Sequence, residues 1–370
     1  MPHDFDWDHF VRLARWHGVV PFAWRYLKSA PDVPAGAFAQ LKSAHAGNAL
    51  NSLFLARELA RLTRLFDAAS IQTIAFKGPV LALDAYGDLT MRQFSDLDLL
   101  FRRADVPRAA TILIGERYLP RRYRPDAPAA SLDRYFEDEF IRENKTHLVD
   151  CHWELAPRYF PYGPAGEAVW HRAVRRTVEG AEVNTLGPID LLLFLCVHGT
   201  KHGWVSLGWV CDLVQVLRVN PALTVTDLLA EARRTGATRM LLLGMMLAQK
   251  LLGAEIPAPL TLLCAADPSV IALGRGIAAR MFAKVDLRPG LFAEWIVPLR
   301  TIEGRGARAA YIARRAIRPT IEDCEFIPLP DALYPLYYAL RPLRLLIQQA
   351  QRVLRDVPMV QPFRPRKLPP

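Results

Sequence analysis

Near residue 68 the hydrophobic period of this chain shifts from three-to-four to two, and that switch constrains its fold more than any other feature. Before it, WDHFVRLARWHGVVPFAWRYL and FAQLKSAHAGNALNSLFLARELARLTRLFDAA carry apolar residues at helical spacing, with Pro31, Pro34 and Gly36 breaking the pattern between them. After it come two short β-type runs, IQTIAF at 71–76 and DLDLLF at 96–101. Between them PVLALDAY predicts a short helix with proline in its first turn. Asp105-Val106-Pro107 opens a further helix to about Gly115, and 119–131 reads as a loop. FEDEFIREN and THLVDCHWEL predict two strands of a hairpin joined at Asn144-Lys145.

Beyond Pro157 a Gly/Pro-containing connection leads to renewed helical periodicity from Pro188 to about Leu252. The remainder is Pro-interrupted, with a long helix expected near 331–356 and a frayed tail, QPFRPRKLPP. The class is α+β: a small mixed or antiparallel sheet flanked by N-terminal helices and a C-terminal helical region. The expected divisions are 1–67 (helical), 68–160 (α/β core), 161–265 (helical) and 266–370 (basic, mostly helical). No internal repeat is present.

At 51% apolar and 23% charged residues, the chain is excluded from the disordered and collagen-like classes. Its five cysteines are scattered, with no Cys-x-x-Cys pair, which points to reduced thiols and a cytoplasmic location rather than a disulfide framework. The start, MPHDFDWDHF, has no apolar h-region, so no secretory signal is expected. LLLFLCVHGTKHGW and MLLLGMMLAQKLLGAE are interrupted by charged residues before reaching membrane-spanning length, so no transmembrane span is expected. The net charge is +10, and from Asp267 onward 17 Lys and Arg stand against 9 Asp and Glu. That excess is either a solvated basic surface or an attraction for an acidic partner. The amphipathic stretch LYPLYYALRPLRLLIQQAQRVLRD packs on the protein or lies on a membrane or partner surface, and it matches no nucleic-acid module.

The sharpest chemical feature is Ser95-Asp96-Leu97-Asp98-Leu99-Leu100. With a side-chain period of two, Asp96 and Asp98 share one strand face and Leu97 and Leu99 the other. Two adjacent carboxylates repel unless a cation neutralises them, and Mg²⁺ (or Mn²⁺) shared with substrate phosphates suits such a pair. Phe76-Lys77-Gly78 follows a strand, where lysine offers a point charge to phosphate and glycine allows close backbone approach. An ordinary strand-to-helix turn would look the same. In VDCHWEL, Asp150, His152 and Glu154 share a face, and Asp150 or Glu154 would bring the third acid of a two-metal site. His198 and His202 stand four apart on one helix face, but the glutamate of a His-Glu-x-x-His zinc motif is replaced by Gly199. Lys201 and His202 are candidate substrate contacts, while Trp204, Trp209 and Asp212 read as packing plus a buried hydrogen bond.

FKGPVLALDAYGDLTMRQFSDLDLLF, VDCHWEL and CVHGTKHGWVSLGWVCDL, in that order, resemble the bacterial nucleotidyltransferase family often found near peptide- and polysaccharide-biosynthesis genes. That family falls within the polymerase-beta-like nucleotidyltransferase superfamily, and the resemblance runs to about residue 220. It implies a nucleotidyltransferase-like core, an enzyme using ATP or another nucleoside triphosphate, and Mg²⁺ or Mn²⁺ as cofactor. It implies catalytic, metal-binding roles for Asp96, Asp98 and Asp150, with Asp150 preferred over Glu154. Lys77, Gly78, Arg92 and Ser95 would lie near the nucleotide, and His152, Lys201 and His202 near the substrates. The chain departs from the superfamily pattern at its glycine loop: Pro79 follows Gly78, and 17 residues separate Gly78 from Asp96.

The expected reaction moves a nucleoside monophosphate to a hydroxyl or phosphate on an unidentified acceptor (small molecule, peptide or protein) and releases pyrophosphate. Two alternatives stay open. One is a catalytically idle binding protein of the same fold. The other is a glycosyl- or phosphotransferase using the same Asp-x-Asp pair.

Overall fold

The computed structural model describes residues 5–30, 32–125, 132–144, 148–163, 166–282 and 292–356. Pro31, residues 126–131 of the expected loop, Lys145 of the expected hairpin turn and the tail QPFRPRKLPP lie outside them. The chain forms two compact units, Met1–Arg308 and Ala309–Pro370.

In the first unit, α1 (Trp7–Trp16), α2 (Val20–Leu27) and the 34-residue α3 (Ala35–Ala68) precede the sheet. Then follow β1 (Thr73–Ala75), α4 (Gly78–Tyr86), β2 (Leu97–Phe101), α5 (Val106–Gly115), β3 (Tyr118–Pro120), β4 (Glu137–Arg142) and β5 (Leu148–His152). These strands form one five-stranded sheet in the order β1-β2-β5-β4-β3. It is mixed: β2 and β5 run parallel, and the other pairs are antiparallel.

Every position of β2 is buried, so its alternation separates two kinds of interior. Leu97, Leu99 and Phe101 join Val149 and Cys151 of β5 in the main core, packed against Leu55, Leu59, Leu62 and Phe66 of α3 and Ala109 and Leu113 of α5. Asp98 points the other way, away from that core, as a strand's period of two requires.

Two strands arise where the sequence suggested only a connection. After α6 (Gly166–His171), β6 (Val174–Val178) and β7 (Ala181–Thr185) form an antiparallel hairpin. Its turn places Glu179 at φ 46° and Gly180 at φ 70°. Two successive positive φ angles are what a tight hairpin turn needs, and the Glu-Gly dipeptide was the available signal. β3 likewise overlaps the start of the stretch expected to be a loop, where edge pairing with β4 overrides its proline.

The expected helices follow: α7 (Pro188–Lys201), α8 (Leu207–Val219), α9 (Val225–Thr235), α10 (Thr238–Leu252), α11 (Ala258–Ala266), α12 (Pro268–Met281) and α13 (Val297–Thr301). α14 (Arg305–Ile317) leads into the second unit, which holds α15 (Ile321–Phe326) and α16 (Tyr337–Asp356). There the buried Asp323 accepts hydrogen bonds from Arg341 (2.7 Å) and Arg344, so two of that unit's arginines are committed internally. Among the described residues no single helix is long and apolar enough to cross a membrane.

Candidate active site

The polar face of β2 and β5 is brought into register by their parallel pairing, which sets Asp98 opposite Asp150 and Leu100 opposite His152. Asp98, Asp150 and His152 therefore meet on one face. Each offers a ligand atom, and these atoms all lie within 4.8 Å of one another. Asp98 is 3% exposed. Burying a carboxylate costs several kcal/mol unless charges or hydrogen bonds compensate it.

Two basic side chains stand beside it. Lys77 Nζ lies 2.6 Å from Asp98 Oδ1, and His152 Nε2 lies 3.4 Å from the same oxygen. Burial alone would push the Asp98 carboxyl up, but Lys77 and His152 outweigh it and hold it well below the ordinary range. Lys77 is raised in turn: burial works against its charge, and Asp98 and Asp96 overcome it. The other ring nitrogen of His152, Nδ1, lies 3.2 Å from Glu137 Oε2. Burial lowers His152, but Glu137, Asp98 and Asp150 together raise it. Asp150 has no such support. Burial, with the negative charges of Asp98, Asp96 and Glu137, outweighs the attraction of His152 and pushes it up to about 7.

The backbone ahead of β2 is held by α3. Asn48 Nδ2 donates to the carbonyls of Thr90 (2.9 Å) and Arg92 (3.2 Å), and Asn51 Nδ2 donates to that of Phe94 (2.7 Å). These amides fix the approach to Ser95 and Asp96. Gly78, at φ +55°, is buried against the same segment, and a Cβ there would lie 3.2 Å from the Asp96 carbonyl oxygen. The glycine is thus required by backbone packing at the acidic pair.

A cavity of about 430 Å³ opens over these groups. Of the residues singled out in the sequence, it brings together Lys77, Arg92, Ser95, Asp96, Asp98, Asp150, His152, Lys201 and His202. Gly78 supports the wall from behind and is absent from the lining. Asp96 lines the cavity but falls outside the close trio of ligand atoms. Arg92 Nε is held by Asp212 at 3.0 and 3.1 Å, and Tyr86 donates to the same carboxylate at 2.7 Å. This bears out a buried hydrogen bond at Asp212 and ties Arg92 to α8. Glu154 lies beyond the end of β5 and outside the cavity lining.

Sequence reasoning missed Glu137, Phe194 and Trp209 as cavity residues, and passed over His198 except as a zinc candidate. Glu137 belongs to the antiparallel partner of β5, directly opposite His152. An alternation count along β4 could have exposed it once that pairing was known.

The donor set fits a divalent cation. Neither oxygen of Asp98, nor Asp150 Oδ1, nor either ring nitrogen of His152 has a hydrogen-bond partner among the described residues, although all five atoms are buried. Lys77 and His152 still approach Asp98 Oδ1, at 2.6 and 3.4 Å, so the oxygens left with no partner of any kind among the described residues are Asp98 Oδ2 and Asp150 Oδ1. Orphaned buried acceptors converging from two strands are what a bound cation satisfies.

Fold and site define a class: an α+β protein with acidic residues on adjacent strands of a small mixed sheet, facing a cavity. Within that class the chain belongs to the family of uncharacterised nucleotidyltransferases, whose family model matches residues 3–253. That membership makes it a transferase of the nucleotidyltransferase type. The match contains every residue lining the cavity, from Lys77 to Trp209. A solved crystal structure, of an antigenic nucleotidyltransferase-like protein from Paracoccidioides brasiliensis, is 14% identical over 49% of this chain and 86% of its own, with a TM-score of 0.32. No curated protein matches the chain.

Proposed function

We propose that this protein transfers a nucleoside monophosphate from a nucleoside triphosphate to a hydroxyl or phosphate oxygen of an acceptor, with divalent-cation dependence. The observation that carries this reading is the convergence of Asp98, Asp150 and His152 ligand atoms within 4.8 Å of one another in a cavity that also holds Lys77 and Lys201. In the reaction an acceptor oxygen forms a bond to the α-phosphorus. The bond from that phosphorus to the bridging oxygen breaks, and pyrophosphate leaves with the electron pair.

Asp98 and Asp150, with His152, would hold the cation, and Asp96 adds negative charge beside them. A cation bound there would supply Lewis-acid charge to the phosphate oxygens and lower the pKa of an attacking hydroxyl. The nitrogen donor makes Mn²⁺ at least as suitable as Mg²⁺, which prefers an all-oxygen shell. Lys77 shifts from Asp98 toward the phosphates, and Lys201 offers a second ammonium group on the opposite wall. An acceptor hydroxyl gives its proton to a carboxylate oxygen of Asp150. Among the described residues Cys151, Cys196, Cys211, Cys264 and Cys324 form no disulfide, which fits a reducing compartment such as the cytoplasm.

Calorimetric titration with each of the four ribonucleoside triphosphates, with Mg²⁺ or Mn²⁺, tests the proposal on the wild type and on Asp98→Asn. Cation-dependent binding that disappears in the variant is expected. Absence of binding by any triphosphate under either cation would overturn the reading. A second reading, nucleotide binding without transfer, draws on the Lys77–Asp98 ion pair, which already neutralises part of the site. Cation-dependent binding with no pyrophosphate release in the presence of cell-extract acceptors would favour it.

A further inference from the structure

The cavity has two unlike ends. Its floor is charged: Asp98, Asp150, His152 and Lys77. From there a row of rings leads away along α7 to α8. Lys77 Nζ lies 5.8 Å from the Phe194 ring, Phe194 lies 5.8 Å from His198, and His198 lies 4.7 Å from His202 and 5.1 Å from Trp209. Phe194, His198 and His202 recur every four residues, so one helical face delivers all three. All four rings line the same cavity as the acids.

This row is held rigidly from behind. Trp204 is fully buried against Gly199, where a Cβ would meet its ring at 2.6 Å, and its indole N–H donates to Thr200 Oγ1 at 3.3 Å. Beside that packed position, His198 and His202 line the cavity. The start of α8 is fixed as well: Gly208 N donates to the His17 carbonyl at 2.8 Å, as does Ser206 Oγ at 3.0 Å. Trp209 follows directly and is half-buried.

The polar atoms of this wall are unused. Trp153 and Trp204 donate their indole N–H within the fold. Among the described residues none bonds to the ring nitrogens of His198, His202 or Trp209. Burial, with the charge of Lys77 beside it, lowers His198 well below the ordinary histidine range. The wall therefore presents flat, uncharged rings with free hydrogen-bonding edges. Phosphate finds its counter-charges at Lys77 and Lys201 instead. A planar heteroaromatic ring is the ligand that uses both features, stacking on the faces and hydrogen-bonding at the edges.

We infer that Trp209, His198 and His202 form the subsite for the nucleobase of the donor triphosphate, with its phosphates directed to the charged floor. The inference rests on the nucleotidyl-transfer reading and adds the orientation of the donor to it.

The test uses the full chain and compares nucleoside triphosphates with inorganic tripolyphosphate, both with Mn²⁺, on wild type, Trp209→Ala and Trp209→Phe. Loss of one stacked base is expected to weaken triphosphate binding about five- to 150-fold in Trp209→Ala. Tripolyphosphate affinity should stay unchanged, and Trp209→Phe should recover most of the loss. Unchanged nucleotide affinity in Trp209→Ala overturns the subsite while leaving the nucleotidyl-transfer reading intact. Equal weakening of nucleotide and tripolyphosphate also overturns it, because Trp209 would then act through the fold. Failure of the wild type to bind either ligand overturns the transfer reading and the subsite together.

Discussion

Two buried carboxylates in the first unit meet opposite fates. Glu58, on α3, is 6% exposed, and its acceptor capacity is met. Arg61 donates to both its oxygens (2.9 and 2.7 Å), Tyr118 donates at 2.7 Å, and Arg142 approaches at 3.4 Å. Arg61 is in turn paired with Glu116. Asp98, on β2, is equally buried and lies beside two further acids, with neither oxygen in a directed hydrogen bond among the described residues. The first arrangement is complete within the fold. The second is compensated at one oxygen by Lys77 and His152, while Asp98 Oδ2 and the neighbouring Asp150 Oδ1 are left open toward a cavity, where a ligand from outside completes them.

In pH dependence Asp98 resembles Glu58, since both are held low, and the contrast falls between Glu58 and Asp150. Burial pushes Glu58 up, but Arg61, Tyr118 and Arg142 prevail and hold it below its ordinary value. Its stabilising contribution is therefore present above the unfolded-state pKa and is lost as pH falls through the folded one. Asp150 shows the opposite sign, raised to about 7. It carries a destabilising contribution that grows as pH rises from the ordinary carboxyl range to about 7, then levels off.

Asp150→Asn tests this contrast most severely. Transfer should fall by about a thousandfold, consistent with the several kcal/mol that metal-assisted charge stabilisation provides. The metal-free variant should nonetheless melt no lower than wild type at pH 8, and its advantage should shrink as pH drops toward 4. A melting temperature well below wild type at pH 8 would show that Asp150 is a structural partner after all. Next in size is Glu58→Gln, which breaks a satisfied buried network. Denaturant unfolding should show a loss of about 3 kcal/mol at pH 7, with nucleotide affinity in the folded protein unchanged. A loss under 1 kcal/mol would erase the distinction between the two groups. The smallest effect is expected for Glu154→Gln, which should alter Mn²⁺ affinity less than about twofold, since Glu154 lies off the cavity near Arg158. A tenfold loss would move the third acid from Asp150 to Glu154.

Much of the site was readable because strands have a period of two. Asp96-Leu97-Asp98 and Val149-Asp150-Cys151-His152 announce their faces without knowledge of the fold, and the apolar members do enter the main core. The helical periods before residue 68 and after Pro188 were readable for the same kind of reason. The hairpin of β6 and β7 was passed over because VRRTV exposes three polar side chains in a row and lacks clean alternation. Trp209 read as a packing residue, since a tryptophan near the start of an apolar helix has the same sequence signature whether its ring meets the core or a cavity.

The sequence by itself determined which side chains share a face on each strand and helix, because that follows from local backbone geometry. It therefore determined that Asp98, Asp150 and His152 would each point away from their apolar neighbours. Only the tertiary structure decided that they meet, since the parallel pairing of β2 with β5 joins segments about fifty residues apart in a register no local pattern specifies. It also decided that Lys77 would neutralise Asp98, that Glu137 would face His152, and that α7 and α8 would close the cavity with an aromatic wall. Those relations depend on long-range packing, where the cost of burying charge is settled by whichever groups the fold brings near.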